Sequence, residues 1–350
     1  MKPIALFIAV LLPLGLIVTA HAEQNPIVAV YFYAWYGEGL GGRHWNDSAY
    51  TPIVDEPLIG YYSSLDPDTI EWQLRLLKQA GIDVLFISWW GPNSYEDRAA
   101  RLVFENLKRF DLKAAILVEP YLGGDPSLYD YEWWLQVLDY IKKNYIDKYP
   151  SVYFRWEGKP LVLAYNPIGM KCRPNTDEFT VRIVGNDIDN AGYQDWDLWP
   201  DYLAPWTTDK PIELRVRQDG YVAIAPRFDD RVFCELGVRT GCDQRLLDPN
   251  YTLQAYVKQW EWILQHKDQV RLIAIYSWNE YHERSQIEPH YDATKPEPLV
   301  YDPYALTRAY TEKLRGIEYS KEYKALAQGL GQIMGVAFLA GAAAQFIRRA

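Results

Sequence analysis

The chain has 350 residues, a formal net charge of -10 and an isoelectric point near 5.1. Its length allows one large domain, with two domains as the alternative. Because the charge balance is acidic, a phosphate-binding surface would form against the overall field, and we expect no nucleic-acid partner. Aromatic residues make up 15% of the chain. Rings with polar edges suit sugar ligands, although a large aromatic core explains the same composition.

Both termini carry apolar segments. Lys2, an apolar run over 4–18 and the small-x-small sequence Ala20-His21-Ala22 predict that residues 1–22 are a signal peptide. The run is short for a spanning helix, which favours cleavage over an uncleaved anchor. Residues 329–347 are long and apolar enough for one transmembrane helix, and Arg348-Arg349 would stay on the cytoplasmic side.

These segments predict an exported protein on the extracellular face of the cell membrane, anchored by its C-terminal helix. Secretion is the alternative, with 329–347 then forming an amphipathic or buried helix. Three cysteines are too few for a disulfide-built scaffold. Cys234 and Cys242 are close enough in sequence for a loop disulfide, which leaves Cys172 unpaired. No Cys-x-x-Cys or His-rich spacing is present, so we expect no metal and no cofactor.

Residues 26–320 are predicted to form a single domain in which apolar, β-rich runs alternate with helices. The runs are 27–34, 84–89, 114–118, 161–165, 181–184, 198–204, 222–225 and 272–276. The helical stretches are 68–80, 97–110, 131–145, 253–266 and 302–315. Continuous apolar runs are typical of strands buried on both faces. The alternation predicts an α/β fold, a (β/α)8 TIM barrel, or an incomplete barrel because the connections at 187–196 and 207–218 are irregular.

The rim at the C-terminal ends of barrel strands is where active sites lie. The strand ends of this sequence bring aromatic, histidine, amide and carboxyl side chains to that rim. They are Trp35, Tyr36, His44, Trp45, Trp89, Trp90, Glu119, Tyr121, Tyr165, Asn279, Glu280, His282 and Glu283. No paired histidines stand at strand ends, which argues against a metal hydrolase.

Glu280 and Glu283 are the candidate catalytic pair. Cleavage of a glycosidic bond needs one carboxyl group to protonate the leaving oxygen and a second to act on the anomeric side. If the chain turns helically after the eighth strand, these residues project to one side with Cβ atoms about 5–6 Å apart. Such closeness leaves little room for a water molecule and favours retention of configuration. Two solvated loop residues are the alternative interpretation.

The segment from Asn279 to Glu288 closely resembles the strand-eight motif of glycoside hydrolase family 99, the endo-α-1,2-mannosidase family. That motif reads Asn-Glu-Trp-His-Glu-Gly-Thr-Gln-Ile-Glu, and here Tyr281 replaces the Trp and Arg284-Ser285 replaces Gly-Thr. Further family segments are matched at 33–37, 44–46, 60–67, 78–89 and 119–121. The similarity spans 28–288 and is weakest between 166 and 227.

The resemblance implies a retaining glycosidase that cleaves α-linked, manno-type glycans internally. It implies that Glu280 removes the proton of the substrate's 2-hydroxyl, which attacks its own anomeric carbon to give a 1,2-anhydro sugar. Glu283 protonates the departing sugar and then activates water, while Glu119 binds near the 2-hydroxyl. The expected sugar-stacking residues are Trp35, Trp89, Tyr121 and Tyr165, and the other expected substrate-binding residues are Tyr36, His44, Trp45, Trp90, Asn279 and His282.

Two points leave alternatives open. Arg284 puts a long cationic side chain beside the acid, where it either blocks or recruits a sugar subsite. A related group of polysaccharide-locus proteins, sometimes labelled glycosyltransferases, carries a similar Asn-Glu-Trp-x-Glu-Gly motif. His282 and Gln286-Ile287-Glu288 favour the hydrolase. The alternative function is a non-catalytic or glycosyltransferase-type carbohydrate-binding barrel on the cell surface, whose carboxylates only hold hydroxyl groups.

Overall fold

The computed structural model describes residues 25–39, 42–45, 55–119, 131–165, 177–185, 198–200, 214–235, 237, 240–242, 246–248, 250–292, 299–300 and 302–317. The strands are β1 (Ile27–Tyr33), β2 (Asp55–Pro57), β3 (Val84–Trp89), β4 (Lys113–Val118), β5 (Arg155–Trp156), β6 (Lys159–Tyr165), β7 (Thr180–Gly185), β8 (Leu198–Pro200), β9 (Tyr221–Ile224), β10 (Leu272–Ile275), β11 (His290–Asp292) and β12 (Leu299–Val300). The helices are α1 (Pro67–Gln79), α2 (Tyr95–Leu107), α3 (Tyr131–Ile141), α4 (Arg231–Glu235), α5 (Gln254–Gln265) and α6 (Asp302–Leu314).

One curled parallel sheet forms the centre of the molecule. Its strands follow the order β8-β7-β6-β4-β3-β1-β10-β9, and β5 pairs with β6. β1 lies between β3 and β10, so the last strand of the series returns to the first, as in a (β/α)8 barrel. β8 and β9 end the path; they approach each other, without a hydrogen-bonded ladder between their described residues. Each predicted strand and helix has a counterpart among the described residues, with small differences in bounds; residues 201–204 of the predicted strand 198–204 lie outside them.

Both faces of this sheet are buried by separate apolar layers. In β1, Val28 and Val30 pack outward in a cluster that includes helix residues, whereas Ala29 and Tyr31 point into the interior. This two-sided burial explains why the strand sequences are continuously apolar. It also places the residues that follow each strand at one common rim, because the strands are parallel.

The start and end of α1 follow from local chemistry. Asp66 caps the helix, since its carboxylate accepts hydrogen bonds from the Asp68 backbone N–H at 3.1 Å and the Thr69 hydroxyl at 2.9 Å. After the helix, Gly81 has φ +76° and lies so close to Thr311 that an added Cβ would be 2.4 Å from its hydroxyl oxygen. Glycine meets both requirements.

A small antiparallel sheet of β2, β11 and β12 was not predicted from the sequence. It pairs Asp55 with Asp292 and Pro57 with His290. It therefore brings the segment before α1 next to the segment that follows the candidate catalytic loop.

Cys234 and Cys242 form a disulfide, as the sequence predicted; Cys172 lies outside the described residues. In the part of the chain that the structure describes, no helix has the length and apolar character needed to cross a membrane. The predicted signal peptide (1–22) and transmembrane segment (329–347) also lie outside that part.

Candidate active site

The loop after β10 carries both candidate catalytic carboxyls. Its backbone closes on itself, because Ser277 N donates to Ser285 O at 3.0 Å and Ile287 N donates to Ser277 O at 3.0 Å. The Ser277 hydroxyl accepts a hydrogen bond from Glu280 N at 2.8 Å. Residues 280–283 thus stand in a short closed loop at the C-terminal rim of the sheet.

Asn279 ties this loop to the end of β1. Its Oδ1 accepts from Tyr33 N at 2.8 Å, and its Nδ2 donates to Tyr33 O at 2.8 Å and to Tyr62 OH at 3.0 Å. The amide is fully buried. The structure therefore corrects the prediction that Asn279 binds substrate, since its polar atoms already hold the loop in place.

Tyr33, at the end of β1, is buried in the electrostatic field of three carboxyl groups, those of Glu119, Glu280 and Glu283. Burial raises the pKa of Tyr33 well above its ordinary range, and the charges of Glu280, Glu119 and Glu283 raise it further. Each glutamate is 8% exposed or less. The phenol of Tyr33 therefore stays protonated and uncharged beside these carboxyl groups.

The two loop carboxyls have different donors. Glu280 Oε1 accepts from His282 N at 2.9 Å and lies 3.0 Å from His282 Nδ1. Glu283 Oε2 accepts from the hydroxyl of Tyr276. Tyr276 also stays protonated, because burial and then the charge of Glu283 raise its pKa. These contacts fix the direction of each carboxyl group.

Ser88 plays the same part for Glu119. Its hydroxyl donates to Glu119 Oε1 at 2.7 Å and accepts from Trp90 Nε1 at 3.1 Å. Ser88 and Tyr276 were not singled out from the sequence. The alternation of side chains along a strand could have identified them, because each occupies an inward-facing position at the end of its strand.

Trp35, His44 and Trp90 form the aromatic part of the rim. All three are half-buried. Trp35 stacks on His44 with ring centroids 4.9 Å apart and lies 6.2 Å from Trp90, while the His282 ring meets Trp35 edge-on at 5.9 Å. Half-exposed rings in this arrangement suit the C–H faces of sugars. Half-buried Tyr165 lies near Tyr276, whose pKa it helps to raise.

Trp89, Tyr36 and Trp45 do not reach the open part of the rim, which corrects their assignment as substrate-binding residues. Trp89 is 0% exposed and its Nε1 donates to Asp97 Oδ1 at 2.9 Å, on the helix side of the sheet. Strand alternation turns Ser88 inward and Trp89 outward. Tyr36 and Trp45 are buried and stack on each other with centroids 3.8 Å apart.

Tyr121 lies outside the described residues, so its contact with a sugar stays a prediction. Within the described ranges, no group of three or more His, Cys, Asp or Glu side chains is arranged to hold a metal ion.

Glu288 is a buried carboxyl on the far side of the loop from the rim residues. Its Oε2 accepts from Tyr62 OH at 2.9 Å and Tyr281 OH at 2.8 Å, and its Oε1 accepts from Gln73 Nε2 at 2.9 Å. Burial raises the pKa of Glu288 to about 7, although these three donors oppose the rise. This carboxyl therefore changes its charge near neutral pH.

The variant Glu288→Gln tests whether ionisation of this buried carboxyl group lowers the stability of the fold. The folded-state pKa exceeds the unfolded value, so the wild type should lose stability as the pH rises from about 4.5 to about 7, by on the order of 3 kcal/mol. The variant should lack this decline, as measured by urea unfolding between pH 4 and pH 8. An unchanged pH slope in the variant contradicts the assignment.

Trp90→Ala and Trp89→Phe form a matched pair. Loss of the half-exposed Trp90 ring should weaken oligosaccharide binding by about tenfold, with a small effect on unfolding. Trp89→Phe should instead lower the free energy of unfolding by about 1–3 kcal/mol, because Asp97 loses a buried donor, and should leave binding unchanged. Calorimetry and urea unfolding measure the two quantities; the reverse pattern contradicts the orientation of these rings.

Comparison with a family model and with individual proteins shows similarity to the same group of glycosidases. The model of glycosyl hydrolase family 99 matches residues 49–182. Glycoprotein endo-alpha-1,2-mannosidase of Mus musculus is 27% identical over 131 residues, which cover 29% of this chain and only 28% of that protein. The glycoprotein endo-alpha-1,2-mannosidase-like protein of Mus musculus is 25% identical over 343 residues, covering 78% of this chain and 71% of that protein.

Structural comparison agrees at the level of the fold. The GH99 endo-alpha-mannosidase from Bacteroides thetaiotaomicron superposes with a TM-score of 0.61 at 18% identity, over 83% of this chain and 98% of that chain. A second structure of that enzyme, with bis-tris propane, gives a TM-score of 0.60 at 19% identity. The chain is thus similar in sequence to glycosyl hydrolase family 99 over residues 49–182 and to its endo-alpha-1,2-mannosidase relatives, and similar in fold to a GH99 enzyme.

Proposed function

We propose that the chain is a retaining glycoside hydrolase that cleaves α-linked, manno-type glycans at internal positions. Three buried carboxyl groups at the strand-end rim carry this proposal: Glu119, oriented by Ser88, and Glu280 and Glu283 on the loop after β10. The names of the similar mouse and Bacteroides proteins, which are endo-α-mannosidases, support the substrate class. Carboxyl groups supply both the acid and the base that the reaction needs.

Glu280 is the proposed base. It takes the proton of the substrate's 2-hydroxyl, whose oxygen attacks the anomeric carbon of the same sugar while the bond to the leaving sugar breaks. A 1,2-anhydro sugar results. The hydrogen bond from His282 N to Glu280 Oε1 supports this role, because it stabilises the carboxylate form that a base requires.

Glu283 is the proposed acid and then base. It gives its proton to the departing oxygen, then takes a proton from the water molecule that attacks the anomeric carbon. As the bond from that carbon to O2 breaks, Glu280 returns to O2 the proton that it took in the first step. Two inversions at that carbon give overall retention. The hydroxyl of Tyr276 directs the Glu283 carboxyl, and Glu119, held by Ser88, is proposed to bind the 2-hydroxyl.

Sugar rings are proposed to stack on Trp35 and Trp90, with His44, His282, Tyr121 and Tyr165 as neighbouring contacts. Trp35 and Trp90 are half-buried and 6.2 Å apart, so both offer ring surface at the rim. Hydroxyl groups of the substrate would meet the polar edges of this set.

We further propose that the chain is exported and anchored at the extracellular face by residues 329–347, with secretion as the alternative. The Cys234–Cys242 disulfide supports an oxidising compartment. Fractionation of expressing cells, with surface protease treatment, should place the protein in the membrane fraction and accessible from outside. Recovery in the cytoplasm with reduced cysteines contradicts export.

Substitution of the two loop glutamates tests the mechanism. Glu283→Gln should lower kcat by about 100-fold to 10,000-fold on α-linked manno-oligosaccharides, and by less on an activated aryl glycoside whose departure needs no proton. Glu280→Gln should lose activity on both substrates. Glu157→Gln, at the opposite end of the sheet and half exposed, is the matched control and should keep wild-type rates.

The pH and substrate dependence complete the test. Proton transfer by one acid and one base should give a bell-shaped rate profile. A 2-deoxy substrate should bind without reacting; its normal turnover reassigns Glu280 as a direct nucleophile. Binding of oligosaccharides by the wild type without any hydrolysis favours the carbohydrate-binding or transferase-type alternative.

A further inference from the structure

Arg284 occupies a distinctive place beside the proposed acid. It follows Glu283 directly, at the position where the family motif has glycine. Its φ is +48°, in the left-handed region that glycine adopts freely and that arginine adopts with strain. The residue is 4% exposed. An arginine in this conformation therefore needs compensating contacts from its side chain.

The Arg284 guanidinium points into the protein, toward fully buried carboxylates. Its Nη2 lies 2.8 Å from Asp55 Oδ1 and 2.9 Å from Asp292 Oδ2, and its Nε donates to Asp55 Oδ2 at 3.2 Å. Its Nη1 donates to Tyr251 OH at 2.9 Å. The pairing with Asp55 is bidentate, which fixes the orientation of the guanidinium plane as well as its position.

Arg227, which follows β9, binds the same carboxylates and the loop itself. Its Nη2 lies 2.6 Å from Asp55 Oδ2, and its Nε donates to the backbone oxygen of Arg284 at 2.7 Å. Two residues further on, Asp229 N donates to the backbone oxygen of Glu283 at 2.8 Å. The backbone on both sides of the Glu283–Arg284 peptide is thus held by one neighbouring segment.

The charges of this cluster balance. The guanidinium groups of Arg227 and Arg284 face the carboxylates of Asp55 and Asp292, both 0% exposed. Burial lowers the pKa of His290, which contacts Arg227, to about 4, so the imidazole is neutral near pH 7. Asp229 pairs with Arg231 at 2.7 Å. Removing either buried arginine leaves a buried carboxylate without its full complement of donors.

We infer that Arg284 is a positioning residue that orients Glu283 for proton transfer through the buried cluster of Asp55, Asp292 and Arg227, an inference that rests on the proposed function. Neither a blocked nor a recruited sugar subsite fits this geometry, because Arg284 is 4% exposed and its guanidinium is held by the buried carboxylates of Asp55 and Asp292. Arg284 acts on the reaction through the loop backbone, whereas glycine at this position has no side chain to anchor.

A change at Arg284 is expected to affect the rate of proton transfer but not the binding of sugar. A loop that holds Glu283 slightly out of place should still bind sugar on Trp35 and Trp90, yet transfer the proton slowly. Errors of about 1 Å in the placement of a reacting group are enough to lower rates by about 100-fold. The loss should be smaller when the leaving group needs no proton. A residue that only supports the fold would lower the rate on both kinds of substrate equally.

The experiment compares full-length wild type, Arg284→Lys and Arg284→Gly at a temperature where each is folded. Arg284→Lys keeps the charge and loses the bidentate pairing. Its kcat on an α-linked manno-oligosaccharide should fall by about tenfold or more with KM within about twofold, and the loss on an activated aryl glycoside should be smaller. Arg271→Lys, whose arginine pairs with Glu157 at the opposite end of the sheet, is the matched control and should match the wild type.

Arg284→Gly should show a larger fall in kcat together with lower stability. If this variant does not fold, the double variant Arg284→Gly/Asp55→Asn removes the unpaired buried charge, and the same kinetic pattern is expected. A raised KM with unchanged kcat overturns the inference in favour of a subsite role. Equal losses on both substrates, or unchanged kinetics with lower stability, overturn it in favour of a purely structural role. Absence of turnover by the wild type overturns the proposed function instead, and the inference with it.

Discussion

Two hydrogen bonds between the amide of Asn279 and the main chain of Tyr33 determine where the proposed catalytic loop lies. The parallel ladder of β10 with β1 ends at Ile275 and Val30, and Trp278 N adds one more backbone hydrogen bond, to Tyr31 O at 2.8 Å. Beyond that point the amide continues the pairing in place of a strand residue. Tyr36 then donates its hydroxyl to Asn279 O at 2.8 Å, so the aromatic residues below the rim take their position from the same residue.

The environment of the carboxyl groups suits the transfer of a proton. Tyr33 and Tyr276 are buried beside negative charges, which raises the pKa of both phenols, so they offer neutral donors. A neutral donor orients a carboxyl group without holding it permanently in the ionised form, as a cation beside it does. The guanidinium groups of Arg227 and Arg284 are instead directed to Asp55 and Asp292. Buried ion pairs thus hold the loop in place, whereas uncharged tyrosine hydroxyls lie beside the carboxyl groups proposed to transfer protons.

Much of the fold follows from the sequence because strands buried on both faces leave long apolar runs, and helices between them carry caps such as Asp66. The small sheet of β2, β11 and β12 escaped prediction, since strands of two or three residues leave no pattern and their partners are far apart in the chain. At the rim, the carboxyl residues were found by their place after strands. The sequence did not show which of Trp89 and Trp90 faces the sugar. The two residues lie on either side of the end of β3, and only the alternation of side chains along that strand determines which ring faces the helices. The sequence places Arg284 beside the proposed acid, where it either blocks or recruits a subsite, but it does not reveal the left-handed backbone at this position or the buried carboxylates that bind the side chain.

The partners of the loop come from the opposite part of the chain. Asp55 pairs with Arg284 and Gln73 binds Glu288, although more than two hundred positions separate the members of each pair. A substitution at one member of either pair therefore alters the contacts of a residue that is distant in the sequence. For the same reason, a chimera that joins the first half of this chain to the second half of a glycine-containing relative would keep the buried Asp55 but lose its bidentate partner, the guanidinium of Arg284. A crossover in a loop between positions 73 and 284 would therefore separate the members of both pairs, even though it leaves every strand of the sheet intact.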